Sequence, residues 1–218
     1  MLAHELRTPI TTIFVGTRLL QSERLSDGPR GEVVDALAVE AERLRDFVED
    51  LIALAEAGAP PDAPAEPVLV QHALPPILEE EAARVPGVRY RAHIPRDLPP
   101  VVIDDVAFTR LLRKLVATVA ELGSGRGTVE IVAHVEGPVL VFRVIGRQVH
   151  ISGEVLDSLF QPGIALDSPL PRGRTQFGLV AARVTASRLG GDVWARRALG
   201  GLELGLELPV SVDDDSHA

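Results

Sequence analysis

From Val34 to Leu54 the apolar residues Val34, Leu37, Ala41, Leu44, Val48, Leu51 and Leu54 recur at spacings of three and four. That rhythm selects an α-helix, because a strand repeats on every second residue. Charged Asp35, Glu40, Glu42, Arg43, Arg45 and Glu49 are expected to fill the remaining surface. An earlier stripe, Leu6, Ile10, Ile13, Thr17 and Leu20, marks a first helix from about Ala3 to Leu25. Ser26-Asp27-Gly28-Pro29 breaks the chain between them. Two helices joined by a short turn make an antiparallel hairpin with one exposed apolar seam. A second copy would cover that seam as a four-helix bundle, and packing on the rest of the chain is the competing arrangement.

Gly58 to Pro67 holds four prolines, one glycine and no periodicity, the composition of a linker. Beyond it, short β-branched runs stand at Val88–His93, Val101–Ile103, Val129–Val135, Val139–Ile145, Asp192–Ala195 and Leu202–Leu208. Helical patterns occupy about Leu74–Arg84, Val106–Leu122 and Phe177–Leu189. This order argues for an α+β layer, a mixed sheet covered by helices on one face. The expected division is a hairpin over residues 1–57, a linker over 58–67, an α/β sandwich over 68–211 and a polar tail over 212–218.

The net charge of −9 argues against a nucleic-acid surface. The chain has no cysteine, which excludes disulfides, thiolate metal sites and cysteine nucleophiles. No apolar stretch is long enough to cross a bilayer, so this fragment is expected to make no membrane contact. A cytoplasmic setting is expected, either for the whole protein or for the cytoplasmic part of a longer, membrane-bound one. Asp104-Asp105 fits an N-cap better than a catalytic carboxylate pair. His72, His93, His134 and His150 share no metal-ligand spacing, a structural role is the expectation for each, and no metal site is expected. Trp194 is expected in the core.

On the first helix, His4-Glu5-Leu6-Arg7-Thr8-Pro9-Ile10 couples a titratable nucleophile to a carboxylate. A neutral imidazole offers one nitrogen lone pair for attack. Glu5 can take the proton on the other nitrogen and raise that nucleophilicity. Thr8 follows one helical turn later on the same face. Pro9 removes a backbone donor and is expected to bend the helix.

The heptapeptide resembles the H-box of sensor histidine kinases almost letter for letter. The resemblance extends over the order of hairpin, linker and α+β domain, which looks like a dimerisation and phosphotransfer domain followed by an ATP-binding domain. Scaffold positions also match: Leu111-Leu112-Arg113, Leu159-Phe160-Gln161-Pro162, Gly178-Leu179, Arg188-Leu189-Gly190-Gly191 and Leu208-Pro209. The resemblance implies that His4 accepts phosphate, that Glu5 activates it, and that Thr8 orients water for dephosphorylating a partner. It also implies a homodimer and a response regulator receiver domain as partners.

The nucleotide positions depart from the family pattern. Where the N-box of the family carries asparagines, this chain has Lys114 and Thr118, and an ammonium cannot ligate magnesium. The first glycine box, Asp-x-Gly-x-Gly in the family, corresponds to Gly146-Arg147-Gln148-Val149-His150. The second keeps Gly178 behind Gln176-Phe177, and the lid segment 163–173 is short and carries Pro169 and Pro171. Lys114, Thr118 and Gly178 are thus the remaining candidate nucleotide contacts. No cofactor is expected, with ATP and magnesium entering only if the altered pocket still binds them. Three functions stay open: a degenerate kinase whose His4 exchanges phosphoryl groups with a regulator aspartate, an active divergent autokinase, and a non-catalytic dimeric module that binds a regulator.

Overall fold

The structure is a computed structural model that describes residues 2–22, 27–55, 65–161, 175–198 and 200–210. Helix α1 (Leu2–Gln21) and helix α2 (Asp27–Ala55) form the hairpin. Strand β1 (Glu66–Val68), helix α3 (Val70–Arg84), strands β2 (Val88–His93) and β3 (Val101–Ile103), and helix α4 (Asp105–Leu122) follow. Next come strands β4 (Gly127–Glu136) and β5 (Val139–Gly146) and helices α5 (Gly153–Ser158) and α6 (Thr175–Arg188). Strands β6 (Asp192–Ala198) and β7 (Gly201–Pro209) end the fold.

The order bears out an α+β architecture of helical hairpin followed by a mixed sheet. Five strands run β2-β4-β5-β7-β6, with β2 parallel to β4 and the other neighbours antiparallel. Val129, Ile131 and Ala133 of β4, Leu140, Phe142 and Val144 of β5, and the even-numbered leucines Leu202 to Leu208 of β7 are all buried. Period-two alternation puts them on one face, which the helices cover. Helix α4 lies across the centre, its Phe108, Leu111, Leu112 and Leu115 fully enclosed. The Phe108 and Phe142 rings meet edge to face, with centroids 6.3 Å apart.

Several elements differ from their expected limits. The segment Ser26–Pro29 was expected to break the chain, yet α2 starts at Asp27 and runs through Pro29, a residue tolerated in a first turn where backbone donors lack partners. Helix α3 begins four residues before Leu74 and carries Pro75 and Pro76 on its exposed side. Val70, Leu74 and Ile77 lie on its buried side, and that burial outweighs two missing donors. The stretch read as linker already contains strand at Glu66 and Pro67, which pair with Ile103 and Val102. Residues 58–64 of that stretch and the whole tail, 212–218, lie outside the described residues, as do 56, 57 and 211 beside them.

The termini of α4 and α6 follow local chemistry. Asp104 caps α4, its carboxylate accepting from the Ala107 amide at 3.0 Å. Helix α6 gives way to Gly190 at φ +77°, while the Gly191 amide donates back to the Ala186 carbonyl at 2.9 Å. Trp194 departs from expectation: it lies half-buried on the helix-free face of the sheet. There it covers Gly205 and donates from Nε1 to Glu207 at 2.7 Å, with the Arg196 guanidinium 4.6 Å above its ring. Glu203 on the same face is 1% exposed and bonded to both Arg143 and Arg196. Burial opposes its charge, but those two bonds prevail and hold the carboxyl below the usual range.

Candidate functional site

The backbone of His4 and Glu5 lies in α1, within its first turn, and Thr8 is exposed one turn further on. Pro9 is buried inside the same helix, and the Thr8 carbonyl accepts from the Thr12 hydroxyl at 3.1 Å. Gly16 lets α1 approach α2: a Cβ there would meet Leu37 at 2.7 Å. Elsewhere on the hairpin apolar side chains stay open, with Ile10 52%, Phe14 57%, Val34 50% and Val39 49% exposed.

Lys114 and Thr118 lie one turn apart on α4, and Gly178 packs against Lys114 from α6. The structure therefore brings together the three positions proposed for nucleotide. Their surroundings differ from a phosphate cradle. The Lys114 ammonium meets the Asp50 carboxylate of α2 at 2.7 Å, with side chains 17% and 8% exposed. A Cβ on Gly178 would come within 2.8 Å of the lysine stem, so that stem fills the space beside the glycine. Thr118 is 3% exposed.

The turn after β5 is closed as well. Val149 is 3% exposed, and its amide donates to the Gly146 carbonyl at 3.1 Å. A Cβ on Gly146 would stand 2.6 Å from both Val119 and Val149, so no carboxylate side chain fits at that position in this arrangement. Arg147 turns away to Glu130, at 2.7 Å. The lid segment 163–173 lies outside the described residues, and so do the side chains of Gln176 and Phe177.

Sequence reasoning did not find Asp50. It stands between Val48 and Leu51 of the apolar stripe, where a carboxylate reads as ordinary helix surface. Burial drives its pKa above the usual 3.8, outweighing the charge and hydrogen bond of Lys114, with Asp46 and Glu49 adding to the rise. Two looser ion pairs flank it: Asp46 with Arg84 of α3 and Glu49 with Arg110 of α4, each at 4.0 Å. The signal was present as acids at positions i, i+3 and i+4 of α2. Its partners are 34 or more residues distant, and no local rule pairs them. These groups line a cleft of about 860 Å³ between α2, α3 and α4. Glu40, expected at the surface, is 9% exposed and pairs with Arg43 at 3.1 Å.

The four histidines expected to be structural sit at the surface. His93 stands 3.7 Å from Glu130 and His134 3.9 Å from Glu136, while His72 and His150 are exposed. Among the described residues, no three His, Asp or Glu side chains gather where they could hold a metal ion. Also among them, no helix is long and apolar enough to cross a membrane.

The hairpin sequence and the fold resemble those of known proteins. Residues 1–60 match the His Kinase A (phospho-acceptor) domain family. Over 207 residues, 91% of the chain, it is 27% identical to an uncharacterized sensor-like histidine kinase of Rhizobium meliloti. The chain is similar to sensor histidine kinases over most of its length. It spans 39% of that relative's length. Among solved structures, the histidine kinase AdeS of Acinetobacter baumannii superposes with a TM-score of 0.71 at 18% identity, over 96% of this chain and 98% of that one. Histidine kinase ThkA, solved in complex with response regulator protein TrrA, gives 0.69 at 17% identity over 96% and 60%. ShkA, solved full-length in complex with AMPPNP, gives 0.68 at 22% identity over 95% and 44%. At these identities the structures establish the histidine kinase fold.

Proposed function

We propose that this chain is a two-component signalling protein whose His4 exchanges phosphoryl groups with a response regulator aspartate, and whose second domain no longer serves Mg-ATP. In the forward step the imidazole lone pair attacks the phospho-aspartate. A P–N bond forms as the P–O bond breaks, and the aspartate leaves as carboxylate. Glu5 holds the proton on the other ring nitrogen. Thr8 orients a water that attacks the same phosphorus when the phosphate is discarded. Such transfer depends on positioning and charge stabilisation, which a helix face and the regulator's own metal can supply. ThkA, a neighbour of the same fold, was solved with a response regulator. The exposed apolar residues of α1 and α2 favour a homodimer through the hairpin.

The observation that carries the loss of nucleotide is the Lys114–Asp50 pair standing at the N-box. The chain contains no asparagine at all, so no shift of alignment supplies the family's amide ligands. With Gly146 hemmed in by two valines, the residues present do not fit Mg-ATP. A divergent autokinase is the second reading, favoured by the fold shared with ShkA, which was solved with AMPPNP.

Calorimetric titration with Mg-ATP should give no binding heat, and radiolabelled ATP should leave His4 unlabelled. Acid-labile label on His4 would instead establish the autokinase. Phosphorylated regulator should lose its label to the protein or to water. His4→Ala should abolish acceptance, and Thr8→Ala should impair release to water more than acceptance; silence of both substitutions would leave only a binding module.

A further inference from the structure

We propose that Lys114 and Asp50 form a latch that fastens the α/β domain to helix α2 without any nucleotide. Asp46, Glu49 and Asp50 occupy one face of α2 over a single turn. Opposite them stand Arg84 of α3 and Arg110 and Lys114 of α4, so three oppositely charged pairs bridge the two parts of the molecule. The outer two are loose, at 4.0 Å and more exposed, and surface pairs of that kind contribute little. The central one is short and enclosed, and Gly178 leaves room for the lysine stem beside it. Partners buried together gain little net stability but penalise any movement that separates them, because each charge would be left without its counter-ion in a poorly solvated site. The latch therefore fixes orientation: the domain is held on α2, while Thr8 remains exposed on α1. It acts whether or not nucleotide binds, so it stands or falls apart from the lost-ATP reading.

Lys114 is the chain's only lysine, so its ε-amine can be followed by acylation and mass spectrometry in the unmodified protein. It should react at least tenfold more slowly than an exposed lysine in a peptide, and tenfold faster in D50N. In small-angle scattering, D50N and K114M should enlarge the radius of gyration, and the exchanged double variant D50K/K114D should restore it. G178A, whose new methyl displaces the lysine stem, should enlarge it as well. Fluorescence of Trp194, the sole tryptophan and outside the cleft, checks that each variant keeps its folded sheet. Rapid acylation of the wild-type lysine would overturn the latch, as would an unchanged radius in both single variants. Calorimetry with Mg-ATP on the wild type decides the nucleotide question separately, since binding there leaves the scattering test untouched.

Discussion

On α1 and α2 the side chains of Ile10, Phe14, Val34 and Val39 keep about half their surface in solvent, at 49–57%, whereas Phe108, Phe142, Leu115 and Leu204 of the α/β domain keep none. A pair of helices has too little surface to enclose its own stripe, while a five-stranded sheet under helices closes a complete core. The hairpin thus leaves apolar surface open, the surface proposed above for pairing with a second copy. The α/β domain is finished as a fold, and within it Lys114 is paired with Asp50 beside Gly178 while Thr118 is buried. The core leucines and the Lys114–Asp50 pair are different residues, so the sheet's packing does not depend on that pair.

The contrast can be broken most strongly in the sheet. Phe142→Ala should destabilise the α/β domain by about 3–5 kcal/mol through loss of contact and a residual cavity, seen in urea unfolding followed at Trp194. Next, Phe14→Asp should leave that unfolding nearly unchanged but weaken dimerisation. With two copies per symmetric interface, a loss of about 2–4 kcal/mol is expected, some thirty- to a thousand-fold in dissociation constant by sedimentation. Equal dimer strength in wild type and variant would show that the seam is not the interface.

A smaller effect belongs to Gly205, where an added methyl would run into the Trp194 ring. Gly205→Ala should cost about 1–3 kcal/mol and shift the tryptophan emission toward that of an exposed indole.

The last and weakest effect is a pair of slopes with pH, opposite in sign. Glu203 has a lowered folded-state pKa, so its contribution is present above the ordinary 4.5 and disappears as pH falls through the folded value. The stability gap between wild type and Glu203→Gln should therefore close in acid. Asp50 has a raised folded-state pKa, so its contribution is complete below 3.8 and fades as pH rises through the folded value. Wild type should lose stability relative to Asp50→Asn over that rise, as read by thermal melts at stepped pH.

Much of the architecture was legible because it rests on local rules. The three-and-four spacing marked both long helices, β-branched runs marked the five strands of the main sheet, and Asp104 announced the start of α4. Where expectation and structure part, a distant contact decided. Helix α3 starts at Val70, four residues earlier than its pattern suggested, because Val70 finds a core, and β1 exists because β3 offers an edge to Glu66–Val68. At the candidate site, Lys114 was visible as the wrong residue for an N-box, but its partner was not.

By itself the sequence determined the helix and strand periods, the histidine with its neighbouring carboxylate and threonine, and the absence of asparagine and cysteine, since these are properties of residue type and spacing. Only the tertiary structure decided that Lys114 meets Asp50 across 64 positions, that Gly146 is walled in by two valines, and that Trp194 faces away from the helices. Charge pairing and close packing depend on distances in space, and chain order does not encode those until the core has closed around them.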